Sequence, residues 1–155
     1  MRRISALLLF TFFITFLSMP SMADSSSNYL GVWQTIDDKT KNPRSLIRVS
    51  IQNQMLLAHI IKVFPNDDKD GSKESICDKC TGELKNRKVV GLNILSGMRF
   101  NGKEWTQGQI LDPGEGKKYD AKIWLDNNVL FVRGYIGFFY RTQEWIRIEG
   151  SISKD

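Results

Sequence analysis

The chain has 155 residues, with 22 Lys and Arg against 17 Asp and Glu, one His, two Cys and a formal charge of +5. That length suits one globular domain with its own core. The charges are interspersed without a basic block, which disfavours nucleic acid as a partner, and one His with two Cys is too few for a four-ligand zinc site.

Met1-Arg2-Arg3 is a charged start, Ile4 to Leu17 is almost wholly apolar, and Ser21-Met22-Ala23 fits a small-x-small cleavage site. This pattern predicts a secretory signal peptide over residues 1–23, cut near Ala23-Asp24. The apolar run of about 14 residues is short for a membrane helix, which needs roughly 20. Residues 24–155 then form one expected domain, with no transmembrane segment in the mature form. Losing Arg2 and Arg3 lowers the formal charge of +5 by two.

Asp24 to Asn28 is a polar leader, and Tyr29 to Ile36 reads as a first strand containing Gly31-Val32-Trp33. Gly-x-Trp on a first strand resembles the lipocalin superfamily, where the Trp plugs one barrel end under an Arg from the last strand. Arg147 is the candidate for that Arg, and guanidinium on indole has a physical basis. Both residues are read as structural.

Lys39 to Arg44 is a turn. Ser45 to Ile51 alternates, and a two-residue turn at Gln52-Asn53 returns the chain along Gln54 to about Phe64. This pairs an Ile47/Val49/Ile51 face with Leu56, Ala58 and Ile60. His59 then faces outward, as a solvated residue rather than a ligand or catalyst.

Residues 65–90 break the pattern and form one long loop. Asn66-Asp67-Asp68-Lys69-Asp70-Gly71 resembles a calcium loop only superficially, because position twelve is Cys77 where a ligating acid is needed. Cys77-Asp78-Lys79-Cys80 has the spacing of a redox pair but lacks the βαβ context. A structural disulfide suits an exported chain better, with redox chemistry second.

From Gly91 the sheet resumes. Gly97 to Phe100 is short, Asn101-Gly102 is a hairpin dipeptide, and Glu104 to Leu111 returns. After the Asp112–Gly116 turn, Lys118 to Leu125 alternates, with Tyr119, Ala121, Ile123 and Leu125 on one face. A two-residue turn at Asp126-Asn127 sets Asp120 opposite Arg133 and adds Leu130, Val132 and Gly134 to that face. Eight antiparallel strands joined mostly by tight turns predict an all-β, up-and-down barrel.

A set of ordered motifs runs through the chain. It comprises Gly31-Val32-Trp33, Cys77-x-x-Cys80, Gly91-Leu92 with Ile94-Leu95, Gly108-Gln109-Ile110-Leu111-Asp112-Pro113 with Gly116-Lys117-x-Tyr119, Val132-Arg133-Gly134-Tyr135-Ile136-Gly137 and Arg141-Thr142-Gln143-x-Trp145-x-Arg147. On these the chain resembles the small exported bacterial proteins of domain-of-unknown-function family 2147 (DUF2147). Phe138-Phe139-Tyr140 stand where the pattern has smaller or less aromatic residues. The resemblance implies a lipocalin-like (calycin) barrel and a periplasmic or secreted location. It implies no activity, cofactor or catalytic residue.

Two function classes stay open. In the first, the barrel binds a small apolar or amphipathic ligand. Ile47, Val49, Leu56, Ala58, Ile60, Tyr119, Ala121, Ile123, Leu125, Leu130 and Val132 then form the wall. In the second, the barrel is filled and serves as a structural or interaction module of the bacterial envelope. An enzyme ranks third, because no nucleophile and base can be placed together. No metal or other cofactor is expected.

Overall fold

The computed structural model describes residues 25–65 and 75–149. Among the described residues there are nine antiparallel strands: β1 Gly31–Ile36, β2 Pro43–Gln52, β3 Met55–Val63, β4 Leu95–Ser96, β5 Arg99–Phe100, β6 Trp105–Asp112, β7 Lys117–Asp126, β8 Val129–Ile136 and β9 Phe139–Arg147. Short 3-10 helices cover Ser25–Tyr29 and Gly82–Leu84. The signal-peptide reading at 1–23 and the acidic segment at 66–71 lie outside the described residues.

The strands follow the order β3-β2-β1-β9-β8-β7-β6-β4, with β5 also on β6. Both β4 and β5 pair with β6, through Leu95↔Ile110 and Phe100↔Trp105. They are two halves of one stave, interrupted at Gly97-Met98 opposite the irregularity between Trp105 and Gly108. Counted this way the barrel has eight staves. Residues 91–94 nearly close it against β3: Ile60 N–H donates to Leu92 O (3.0 Å), Ile94 N–H to Ala58 O (2.8 Å), and His59 bridges Asn93. The single histidine, half-buried, therefore marks the seam between the two ends of the sheet.

Both hairpins that the sequence phases keep their apolar faces but sit two residues from the expected register. The β2–β3 turn is Asn53-Gln54, not Gln52-Asn53, and pairs Ile47↔Ile60, Val49↔Ala58 and Ile51↔Leu56. The β7–β8 turn is Asn127-Asn128, not Asp126-Asn127, and sets Lys122, not Asp120, opposite Arg133. The reason is φ: Asn53, Gln54, Asn127 and Asn128 lie at 51°, 62°, 45° and 62°. A two-residue turn with both central residues left-handed matches the strand twist. The like charges of Lys122 and Arg133 are both spread over the Trp124 ring, at 5.0 and 5.1 Å from its centre. Lys122 also pairs with Glu104 at 3.1 Å.

Up-and-down topology collects alternate turns at opposite ends. One end holds turns 53–54, 101–104 and 127–128, with the Ser25–Tyr29 helix against it. There the Tyr29 hydroxyl donates to Lys103 O (2.8 Å), and the Tyr29 ring meets Phe100 and Trp105 edge-on, those two rings being tilted against each other. The other end holds turns 37–42, 113–116 and 137–138, with residues 64–65 and 75–90 beside them. Tyr29 thus belongs to a helix that seals the barrel rather than to the first strand.

Candidate functional site

Trp33 is fully buried at the sealed end. Its indole N–H donates to Tyr29 O at 3.0 Å, and the Arg147 guanidinium lies 4.1 Å above its ring. Arg147 also donates to Leu30 O (2.7 Å), Asn128 Oδ1 (2.7 Å) and Asn28 O. One cation ties the last strand to the chain before β1 and to the β7–β8 turn. Burial pulls its pKa down from the usual arginine value, but a guanidinium has ample margin to stay charged.

Above this plug the interior divides into two halves. Val49, Leu56, Ala58, Ala121, Ile123 and Leu130 are buried in the core with Trp33, Trp105 and Met98. Leu125 is half-buried against the same cluster. These seven expected wall residues fill the sealed half instead of lining a space. The open half holds a cavity of about 1140 Å³ that opens to solvent, on the scale of small-molecule sites. Of the expected wall, Ile47, Ile60, Tyr119 and Val132 border it. Gly134, Ile94, Ile110 and Trp145 join them.

The lining is less uniformly apolar than alternation predicts. Thr35 and Ser45 are buried side by side on β1 and β2, their hydroxyls 2.7 Å apart, and Gln143 faces the same space from β9. Charged groups gather at the rim: Arg44, Lys79, Asp112, Glu115 and Arg141. The Tyr119 hydroxyl donates to the Glu115 carboxylate. That bond pushes the Tyr119 pKa up to about 12 and holds Glu115 below the usual carboxylate range. Arg141 Nε donates to Asp38 Oδ2 at 2.6 Å, joining β9 to the β1–β2 loop.

The long segment contributes to this end. Residues 75–89 fold back on themselves, through Cys77 N–H to Arg87 O (2.8 Å) and Val89 N–H to Ser75 O (2.8 Å). Cys77 and Cys80 form a disulfide and are both buried in the core. The turn carrying Lys79 rests on the β6–β7 turn at Gly116, where φ is +67° and an added Cβ would stand 2.1 Å from Lys79 O. Only glycine tolerates both conditions. Gly116→Ala should therefore detach the 77–80 turn from the barrel. Amide exchange at Cys77 and Arg87 should then speed up while β7 and β8 stay protected; unchanged exchange at both would count against this contact.

The buried bridge also sharpens what its removal should do. Closing so short a loop stabilises by about 2 kcal/mol in the chain-entropy model. A Cys77→Ala/Cys80→Ala variant should lose about that much and keep the barrel, since neither cysteine lies on a strand. Cys77→Ser/Cys80→Ser should melt lower still: a hydroxyl at 77 has Pro113 O, 3.3 Å from the present Cys77 Sγ, to accept its proton, but one left unpaired at buried position 80 costs about 1–3 kcal/mol. Equal melting of the two variants would show that the site is wetter than its burial indicates.

Sequence reasoning missed the contribution of residues 76–94, since a segment that lines a mouth and seals a seam needs no strand period. Among the described residues no group of three or more His, Cys, Asp or Glu is placed to hold a metal. No described helix is long and apolar enough to cross a membrane.

Comparison with solved structures places this fold beside "Protein HP1028 from the human pathogen Helicobacter pylori belongs to the lipocalin family". The TM-score is 0.66 at 22% identity, covering 79% of this chain and 84% of that one. At that identity the likeness speaks for the fold alone: a lipocalin-like barrel. No curated protein matches the chain. Residues 31–147 match the family described as "Uncharacterized protein conserved in bacteria (DUF2147)". That span runs from the glycine before the plugging tryptophan to the arginine that covers it, and the chain belongs to the DUF2147 family.

Proposed function

We propose that this protein binds one small apolar or amphipathic molecule in the open half of its barrel. The cavity of about 1140 Å³ carries this reading. Its apolar walls favour a hydrocarbon portion, because few buried groups there could replace lost hydration. Thr35, Ser45 and Gln143 offer a few polar contacts within, and the charged rim offers many at the entrance. An elongated ligand would therefore sit with its polar end toward the mouth.

The disulfide and the signal-like leader support an exported, periplasmic or secreted location, since such bridges persist in oxidising compartments. The reading is tested by titrating the mature protein with the apolar fluorescent probe N-phenyl-1-naphthylamine, then displacing it with straight-chain alcohols and acids. Organic extracts of the purified protein are examined by mass spectrometry alongside. Saturable uptake with displacement supports ligand binding. Failure of uptake, with an empty extract, would sink it. The second reading, a filled barrel acting as an envelope interaction module, draws on the packed sealed half, where Trp33, Trp105 and Leu56 leave no room.

A further inference from the structure

The β8–β9 hairpin ends in the most exposed apolar group among the described residues. Phe138 is 101% exposed, Phe139 80%, Ile136 62% and Tyr140 61%. Gly137 at φ +57° makes the tight turn that lifts Phe138 off the barrel. Ile136↔Phe139 is the last pair of the ladder, so the tip is held rigidly by paired strands. Scattered exposed apolar residues need no explanation, but four within five residues at one tip do.

Three features identify what covers them. The tip is convex, a single two-residue turn, whereas a protein partner for an apolar surface of this size needs a broad patch. It is continuous with the ligand cavity, whose mouth is bordered by Ile136, Phe139 and Tyr140. Its charge is one-sided. From Val129 to Gln143 the only ionisable acids or bases with full charges are Arg133 and Arg141, and Lys117 and Lys118 begin the neighbouring strand β7. Arg133 lies 4.1 Å over the Tyr140 ring, with Tyr135 beside it. Aromatic rings backed by cations suit the headgroup level of a membrane. Among the described residues, acids at this end include Asp37 and Asp38 on the β1–β2 turn, Asp112 at the end of β6, Glu115 on the β6–β7 turn and Asp78 on the 77–80 turn. Asp38 neutralises part of the Arg141 charge. Repulsion from those turns would tilt the molecule so that the hairpin tip leads.

We propose that the β8–β9 tip inserts Phe138 and Phe139 into the interface of an anionic phospholipid bilayer, bringing the barrel mouth onto the lipid surface. The inference goes beyond ligand binding and does not depend on it.

The test is co-sedimentation of the mature protein with vesicles of phosphatidylethanolamine and phosphatidylglycerol, and with vesicles of phosphatidylcholine alone. Wild-type protein is expected on the anionic vesicles, more weakly on the neutral ones, and less at high salt. Phe138→Ser/Phe139→Ser should keep the wild-type melting temperature, because both side chains lie outside the core. Its partition to anionic vesicles should fall by at least about tenfold. Absence of wild-type binding to either vesicle overturns the proposal, as does undiminished binding by the variant. A wild-type dimer that the variant converts to monomer, with no vesicle binding by either, also overturns it and assigns the tip to a second copy of the chain. Probe uptake measured without vesicles reports on the cavity separately, so failure of one reading is distinguishable from failure of the other.

Discussion

Trp33→Ala is expected to cost the barrel about 3–5 kcal/mol, a large share of its stability. Trp33 is among the largest fully buried side chains, and its ring is gripped by the Arg147 guanidinium above and by its own N–H bond to Tyr29 O. Truncating a buried Trp costs about 3–5 kcal/mol, against a total of about 5–15 kcal/mol for an ordinary domain. The removed volume sits beneath the Ser25–Tyr29 helix, so collapse of the site would also release Tyr29 from Lys103. Trp33→Phe keeps a ring for the cation but leaves Tyr29 O without its donor, and should lose less. Arg147→Lys keeps the charge yet cannot reach Leu30 O, Asn28 O and Asn128 together, since an ammonium lacks the planar fork. Urea denaturation should therefore rank wild type above Trp33→Phe, with Trp33→Ala lowest. A Trp33→Ala loss below about 1 kcal/mol, the cost of an unremarkable substitution, would show that the plug is not structural.

The plug of the sealed end was readable, though its covering helix was not. The resemblance to the lipocalin superfamily picks out Gly31-Val32-Trp33 and Arg147, and the first and last strands pair Trp33↔Arg147. Strand faces were equally readable: Val49, Ala58, Ile123 and Leu130 point inward as alternation demands. Register was less so. Asn53 belongs to both candidate turns of the first hairpin and Asp126, Asn127 and Asn128 are all Asx in the second, so only backbone φ selects Asn53-Gln54 and Asn127-Asn128. Shifting the turn by one residue moves each strand partner by two, which preserves faces and conceals the error. Height along the barrel was not readable at all. Alternation reports in or out, and cannot tell Val49, packed in the core away from the cavity, from Ile47, which borders it. The mouth was hidden for a further reason: its lining includes Ile76, Val89 and Val90, which belong to no named strand.

Gly134→Trp should abolish apolar-probe uptake while the protein stays folded. Gly134 lies on β8, borders the cavity and pairs with Ala121 on one side and Arg141 on the other. Its backbone is ordinary extended strand, so a side chain adds no φ strain. An added Cβ would meet Tyr119 Cβ at 3.4 Å and Ile110 Cγ2 at 3.8 Å, which is close to normal contact. The Tyr119 side chain packs over this glycine, an arrangement that protects a strand weakened by lack of a side chain. Gly134→Ala is therefore a control: it should bind probe nearly as wild type and gain slightly in stability, because glycine is a poor strand residue. An indole at the same position projects beyond Tyr119 into the space bounded by Ile47, Ile60 and Val132, and should weaken probe binding by at least about tenfold, a loss of roughly 1.4 kcal/mol. Ala121→Trp supplies the contrast. Ala121, its cross-strand partner, does not border the cavity and is packed within the core, so the same indole there should overpack and destabilise by about 1–3 kcal/mol. Thermal melts and probe titrations of the three variants separate void from core. Probe binding by folded Gly134→Trp at wild-type strength would place the probe outside the barrel, and a stability loss at Gly134 equal to that at Ala121 would mean that no void exists there.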